Sequence, residues 1–357
     1  MPAVRWIRSL ALAGLLLCLT VVVLGAYVRL TAAGLGCPDW PGCYGHATPL
    51  GAQESASAQA AYPLKPLNVG KAWREMIHRY AASTLGLIIV AITILAFTTR
   101  RLRLVSLPLA LALLATVVFQ GLLGMLTVTW QLKPLIVTGH LVFGLTTLGL
   151  LWWLWLALPR NSWGGGSWAS ASGANVGGTT VDAARLAWQL TLLGLVALAV
   201  QIALGGWTSS NYAAIACPDF PTCQGSWWPQ TDYQDAFVLW RGLGVNYEGG
   251  VLENPARIAI HLTHRIGALV ATLTLSLAAI MVITRRVLAK FVVPAYCILA
   301  ALALQLTIGI SMVLRGFPLE LATAHTAGAA LLLLSVLALL RSVGATARGS
   351  YRLGGRA

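Results

Sequence analysis

Five side chains able to do chemistry interrupt otherwise apolar stretches of this chain: Glu75, His78, His140, His264 and His325. Ionisable or metal-binding groups are costly inside membrane-length apolar segments, and their default reading is functional. Neutral imidazole is a ligand for iron, zinc or copper. His78 and His140 fall in one half of the sequence, His264 and His325 in the other. Zinc sites show three or four clustered ligands, such as HExxH on one helix. Here His261 and His264 stand three apart, with no carboxylate between them or just after.

Two histidines on facing helices at one depth can instead hold a haem iron from opposite sides, as axial ligands. A single histidine of this kind is as well explained by an interhelical hydrogen bond; two matched pairs favour the haem reading. Arg79 and Arg265 follow their histidines directly and could pair with haem propionates. Gly144, Gly267 and Gly328 follow theirs by three or four residues. They would let a flat ring approach the backbone, or serve ordinary helix packing. Glu75 precedes His78 by three and shares its helix face. Beside a substrate it could act as a base or stabilise positive charge. A helix-start glutamate, or a salt bridge with Arg74 or Arg79, explains it equally well. His46 lies in a loop and is expected to be solvated.

These residues need helices to position them. Of 357 residues, 58% are hydrophobic and 10% charged, and the mean hydropathy is +0.77. Soluble domains are about a quarter charged. Segments of about 20 apolar residues recur at roughly 9–28, 73–97, 105–129, 134–158, 185–209, 256–283, 291–314 and 318–340. Backbone groups in lipid must be satisfied internally, so the chain is an all-α integral membrane protein with eight transmembrane helices. No β-barrel alternation is present. The first segment follows Arg5 and Arg8 like a signal peptide, but its apolar run is long and no A-x-A site follows, so it reads as a retained helix. The net charge is +14. Its basic residues crowd the loops of one side, which predicts cytoplasmic termini by the positive-inside rule. No basic and aromatic surface suits nucleic acid. The four histidines then lie roughly 8–15 Å below the outer surface.

The second half repeats the first. CPDFPTC follows CPDWPGC at 180 residues, His264-Arg265 follows His78-Arg79 at 186, and His325 follows His140 at 185. Gln120-x-x-x-Gly124 recurs as Gln305-x-x-x-Gly309. Two pseudo-symmetric four-helix bundles of the same orientation follow. They are placed at 1–160 and 185–345, with a Gly/Ser-rich cytoplasmic linker at 161–184 and a basic tail at 346–357. The run GAQESASAQA in the first outer loop is expected to be flexible. The pairs Cys37/Cys43 and Cys217/Cys223 sit in outer loops, where disulfides are expected, as loop braces or as redox groups. Cys18 and Cys297 read as buried apolar fillers. Most tryptophans suit interfacial belts.

Taken together these motifs resemble bacterial haem A synthases of the kind with a cysteine pair in each of two outer loops. The likeness rests on GLGCPDWPGCYG, E-x-x-H-R at Glu75 to Arg79, TGHLVFG, CPDFPTC, THR at His264 and AHTAG at His325, and it covers nearly the whole chain. It implies oxidation of the C8 methyl of haem O to a formyl group by two successive hydroxylations, giving haem A. It further implies that His264 and His325 hold a haem b cofactor, that His78 and His140 hold the substrate haem, and that Glu75 stands beside the reacting edge. The cysteine pairs would form disulfides, the first with a part in electron or haem transfer. Implied partners are the farnesyltransferase that makes haem O, an electron acceptor and terminal oxidase assembly, in the bacterial cell membrane. Two other classes compete. A di-haem b-type cytochrome for electron transfer gives no reason for a carboxylate in one half only. A four-helix membrane thiol oxidase explains the cysteines and leaves four histidines without a role.

Overall fold

A computed structural model describes residues 2–102, 105–158 and 178–348. Among them, eight helices are long and apolar enough to cross a membrane. They are α1 (Pro2–Leu30), α2 (Val69–Thr98), α3 (Leu107–Thr129), α4 (Pro134–Ala157), α5 (Gly178–Ser210), α6 (Asn254–Thr284), α7 (Val292–Leu314) and α8 (Leu319–Ala347). Local chemistry sets several starts. Proline opens α3, α4 and α6, where its missing N–H is not needed and its fixed φ suits the first turn. Asn68 caps α2 by accepting from Lys71 N–H at 3.0 Å.

The helices pack as two closed rings. In the first, α1 contacts α2 and α4, and α3 contacts α2 and α4; in the second, α5 contacts α6 and α8, and α7 contacts α6 and α8. The rings meet where α4 packs on α5 and α8, and α1 on α8. Small residues allow this approach. Gly206 of α5 lies against Thr138 and Leu141 of α4, and Thr138 and Ser210 share a hydroxyl hydrogen bond of 3.3 Å. Ile89, Ile92, Leu113, Leu148 and Leu151 are sealed inside, whereas Leu87, Ile94, Leu193 and Leu273 point outward. Such an outward apolar shell is a liability in water and the solvated surface in lipid. Thr93 returns its hydroxyl to Ile89 O, which keeps this buried polar group satisfied.

Four expectations change. Helix α5 begins at Gly178, inside the segment assigned to the linker; Val181 and Ala184 are buried there, and that burial extends the helix. The remaining linker from 161 and the tail from 349 lie outside the described residues. GAQESASAQA is not an unstructured run: it lies in two short helices, Pro49–Glu54 and Ala56–Ala60. Ser55 caps the second by accepting from Ala58 N–H, and Ala52 packs against Cys37 and Cys43. Cys18 is buried as expected, but Cys297 is exposed on the outward face of α7. The tryptophans of α4 do more than mark an interface. Trp152 and Trp155 stack at 5.2 Å, and Trp152 donates to Leu334 O across the ring–ring boundary at 2.9 Å.

Candidate metal centres beneath two disulfide-closed loops

Each histidine rises from an even-numbered helix and meets a glycine on the preceding helix. A Cβ placed on Gly25 of α1 would stand 3.0 Å from the His78 ring, and one on Gly124 of α3 would stand 3.5 Å from His140. In the second ring the corresponding approaches are Gly205 to His264 at 3.2 Å and Gly309 to His325 at 3.0 Å. At Gly25, Gly205 and Gly309 a Cβ would press on the imidazole, whereas at Gly124 it would make ordinary contact. Within the rings, His140 lies in electrostatic reach of His78, and His264 of His325. The sequence pairing is therefore the spatial pairing. The glycines expected to cradle a macrocycle, Gly144, Gly267 and Gly328, instead face the side chains of Gln120, Gln201 and Gln305. The four histidine-facing glycines were missed, although the Gln-x-x-x-Gly repeat pointed to two of them.

The residues fit axial ligation. Nδ1 of His78, His140 and His325 is buried and has no hydrogen-bond partner, while the residues themselves keep partial access. Among the described residues no cluster of three or more His, Cys, Asp or Glu side chains forms, so the histidines stand as pairs, a donor set that would suit a haem iron better than a protein-held zinc.

A disulfide-closed loop covers each ring. Cys37 bonds Cys43, and Cys217 bonds Cys223. Inside each loop an aspartate folds back on the turn. Asp39 accepts from the N–H groups of Tyr44 and Gly45 at 2.6 and 2.7 Å, and Asp219 from those of Gln224 and Gly225 at 2.6 and 3.0 Å. Tyr44 and Gln224 both take φ of 54° there. Half-buried Asp219 is held below the usual carboxylate range, chiefly by the Thr222 hydroxyl it accepts from.

The arginines hold the loops. Arg79 donates to the main-chain oxygens of Asp39, Pro41 and Gly42, and Arg265 to those of Asp219, Pro221 and Thr222. They clip the loops onto α2 and α6, and Arg265 Nε remains buried without a partner. The physical reason is that a tight loop closed by a disulfide leaves several carbonyls without main-chain partners, and a guanidinium fork satisfies them together.

Glu75 is 4% exposed. Its Oε1 pairs with Arg79 at 2.5 Å, and its Oε2 accepts from Cys37 N–H at 2.9 Å. Arg74 is not its partner and lies over the Tyr27 ring. At the repeated position, buried His261 places Nδ1 3.1 Å from Ala213 O. Both positions tie the helix to the entrance of its loop, one with an acidic acceptor and the other with an imidazole. His46 is half-buried, and its main chain pairs with Cys43 to close the first loop.

The third outer loop crosses to the first ring. Tyr247 N–H donates to Gln131 O at 3.1 Å. Buried Lys133 donates to Gly242 O at 2.6 Å, with its ammonium 3.2 Å from the Trp240 ring centre. Nothing in the sequence repeat announced this contact.

A membrane protein with eight spanning helices and two histidine pairs under twin disulfide loops defines a narrow class. Residues 8–337 match COX15-CtaA, described as cytochrome oxidase assembly protein, and the chain belongs to that family. Similar proteins include heme A synthase of Shewanella oneidensis, 42% identical over 321 residues, covering 89% of this chain and 91% of the relative. Heme A synthase of Paracoccus denitrificans is 29% identical, covering 89% and 82%. That of Chelativorans sp. is 27% identical, covering 92% and 88%.

Proposed function

We propose that this chain is a haem A synthase, which oxidises the C8 methyl of haem O to a formyl group by two successive hydroxylations. The observation that carries the reading is an asymmetry within a repeat: two matched histidine pairs, of which only one has a carboxylate a turn away. In the balanced reaction R–CH3 and water give R–CHO, four protons and four electrons. His78 and His140 would bind and orient the substrate haem through Nε2, and His264 and His325 would hold a haem b. That cofactor would supply a one-electron acceptor.

Glu75 would stand by the reacting edge. Two donors hold its carboxylate in place. A carboxylate so held could stabilise positive charge developing at the methyl carbon or take a proton from it. The clipped loops exclude water from above. The termini would be cytoplasmic, the membrane the bacterial cell membrane, and the partners a haem O-producing farnesyltransferase, an electron acceptor and an assembling terminal oxidase.

The test is co-expression with a haem O-producing enzyme, followed by extraction and chromatography of the haems. Haem A formed only when this chain is present is the expected result. Bound haem b with haem O unchanged would replace the reading with an electron-transfer cytochrome. Thiol oxidation without bound haem would favour the thiol oxidase.

A further inference from the structure

The helix pairs α3–α4, α5–α6 and α7–α8 share one packing device, and α1–α2 lacks it. On α3, α5 and α7 a glutamine stands four residues before the histidine-facing glycine: Gln120, Gln201 and Gln305. Each packs on a glycine of the next helix, three or four residues after its histidine: Gly144, Gly267 and Gly328. A Cβ on Gly267 or Gly328 would overlap the glutamine oxygen. On α1 the same position is Val21, and on α2 its partner is Ala81. Glutamine with glycine has become valine with alanine, so both sides of the contact differ together. The change falls beside His78.

Of the three glutamines only Gln201 reaches its histidine ring; Nδ1 of His140 and His325 has no partner. Gln201 Nε2 lies 3.1 Å from His264 Nδ1 and 3.4 Å from His264 Nε2, and donates to His264 O at 3.0 Å. Its Oε1 is buried without a partner. A histidine that offers Nε2 to iron keeps its proton on Nδ1 and needs an acceptor there. With the terminal amide turned by a half-turn, Oε1 would accept from Nδ1, and the side chain would shift to keep that oxygen off His264 O, 3.0 Å from the present Nε2. Oε1 of Gln120 and Gln305 is likewise buried and unpartnered. Nδ1 of His78 faces no such group, because Val21 carries none.

We propose that Gln201, set in place by Gly267, is a positioning residue that fixes His264 as a firm axial ligand. Val21 and Ala81 leave His78 unbraced, so that the first ring holds its haem loosely enough to exchange. The inference rests on the proposed function, in which the first ring takes a substrate that must enter and leave while the second keeps a cofactor.

The test uses the full chain in detergent, purified after co-expression with a haem O source and mixed with excess apomyoglobin as haem acceptor. Chromatography of the haem left on the protein follows haem b and haem O separately. Gln201→Met keeps the side-chain length without the amide. It should speed loss of haem b by about ten-fold or more and shift the low-spin haem resonance in electron paramagnetic resonance. The reciprocal Val21→Gln with Ala81→Gly installs the brace and should slow loss of haem O. Unchanged haem b loss and resonance in Gln201→Met, or unchanged haem O loss in the reciprocal pair, overturns the proposal. An unaltered chain that purifies without haem overturns both this proposal and the function beneath it. A chain that holds haem but never converts haem O overturns the function alone, and the retention rates still decide the role of Gln201.

Discussion

Replacing Glu75 separates its structural tie from its chemistry. The side chain is buried and takes one hydrogen bond from Cys37 N–H and one from Arg79. Alanine removes both, and it leaves a buried N–H with no acceptor. Breaking a buried ion pair from one side costs about 3–5 kcal/mol. Arg79 keeps three main-chain oxygens from the loop, so its charge is not stranded, and about 3 kcal/mol is the expected loss. Glutamine keeps an oxygen for Cys37 and gives up only the charged partner of Arg79, at about 1–2 kcal/mol. The assay is thermal unfolding in detergent together with haem A output in cells that make haem O. Glu75→Gln should unfold near the unaltered midpoint, keep its haem, and lose haem A output by about a hundred-fold or more. Glu75→Ala should lose output and also unfold earlier. Unaltered haem A output from Glu75→Gln refutes the chemical role; an unaltered unfolding midpoint in Glu75→Ala refutes the tie.

Gly309→Ala puts a Cβ 3.0 Å from the His325 ring and should lower the haem retained on purification, read from the absorption spectrum. Gly121→Ala on the exposed side of α3 meets nothing within 4 Å and should leave that spectrum intact. Arg265→Leu strips three carbonyls of the second loop of their donor. Cys217 and Cys223 should then be labelled faster by a thiol reagent under mild reduction, while Cys37 and Cys43 keep their rate. Lys133→Met removes a cation–π contact and a charged hydrogen bond, about 2 kcal/mol together. Limited trypsin digestion should then cut faster after Arg241, in the strand of loop that Lys133 holds.

The helices were legible because lipid forces backbone self-satisfaction, so a long apolar run can be only one thing here. The histidine pairs were legible because the chain contains its own comparison: His78 and His264, and His140 and His325, recur at nearly one offset. What the sequence hid was the use of polar groups at short range. Arg79 stands next to a histidine in sequence, yet its guanidinium turns to the loop carbonyls. A side chain that long has several destinations, and the loop conformation that exposes three carbonyls at once is not visible in composition. The aspartates of CPDWP and CPDFP were passed over for the same reason, since their partners are main-chain N–H groups five and six residues on. Lys133 was unreadable because its partners, Trp240 and Gly242, are more than a hundred residues away and have no repeat in the first half.

The two halves share what a helix ring needs to hold a flat ligand and differ where one ligand must react. Shared are the histidines, the glycines that face them, the disulfide loops and the arginines that clip those loops. Three differences fall on the helices that meet at His78: Glu75 against His261, Val21 against Gln201, and Ala81 against Gly267. The first changes the charge beside that histidine, and the second removes a hydrogen-bonding side chain. A buried acid a turn above His78 adds a fixed negative charge, and the loss of the amide removes a brace from the same imidazole. On the proposed function, the first change would favour reaction and the second exchange. A ring that only carried electrons would gain from neither, because electron transfer is served by a ligand set that stays put.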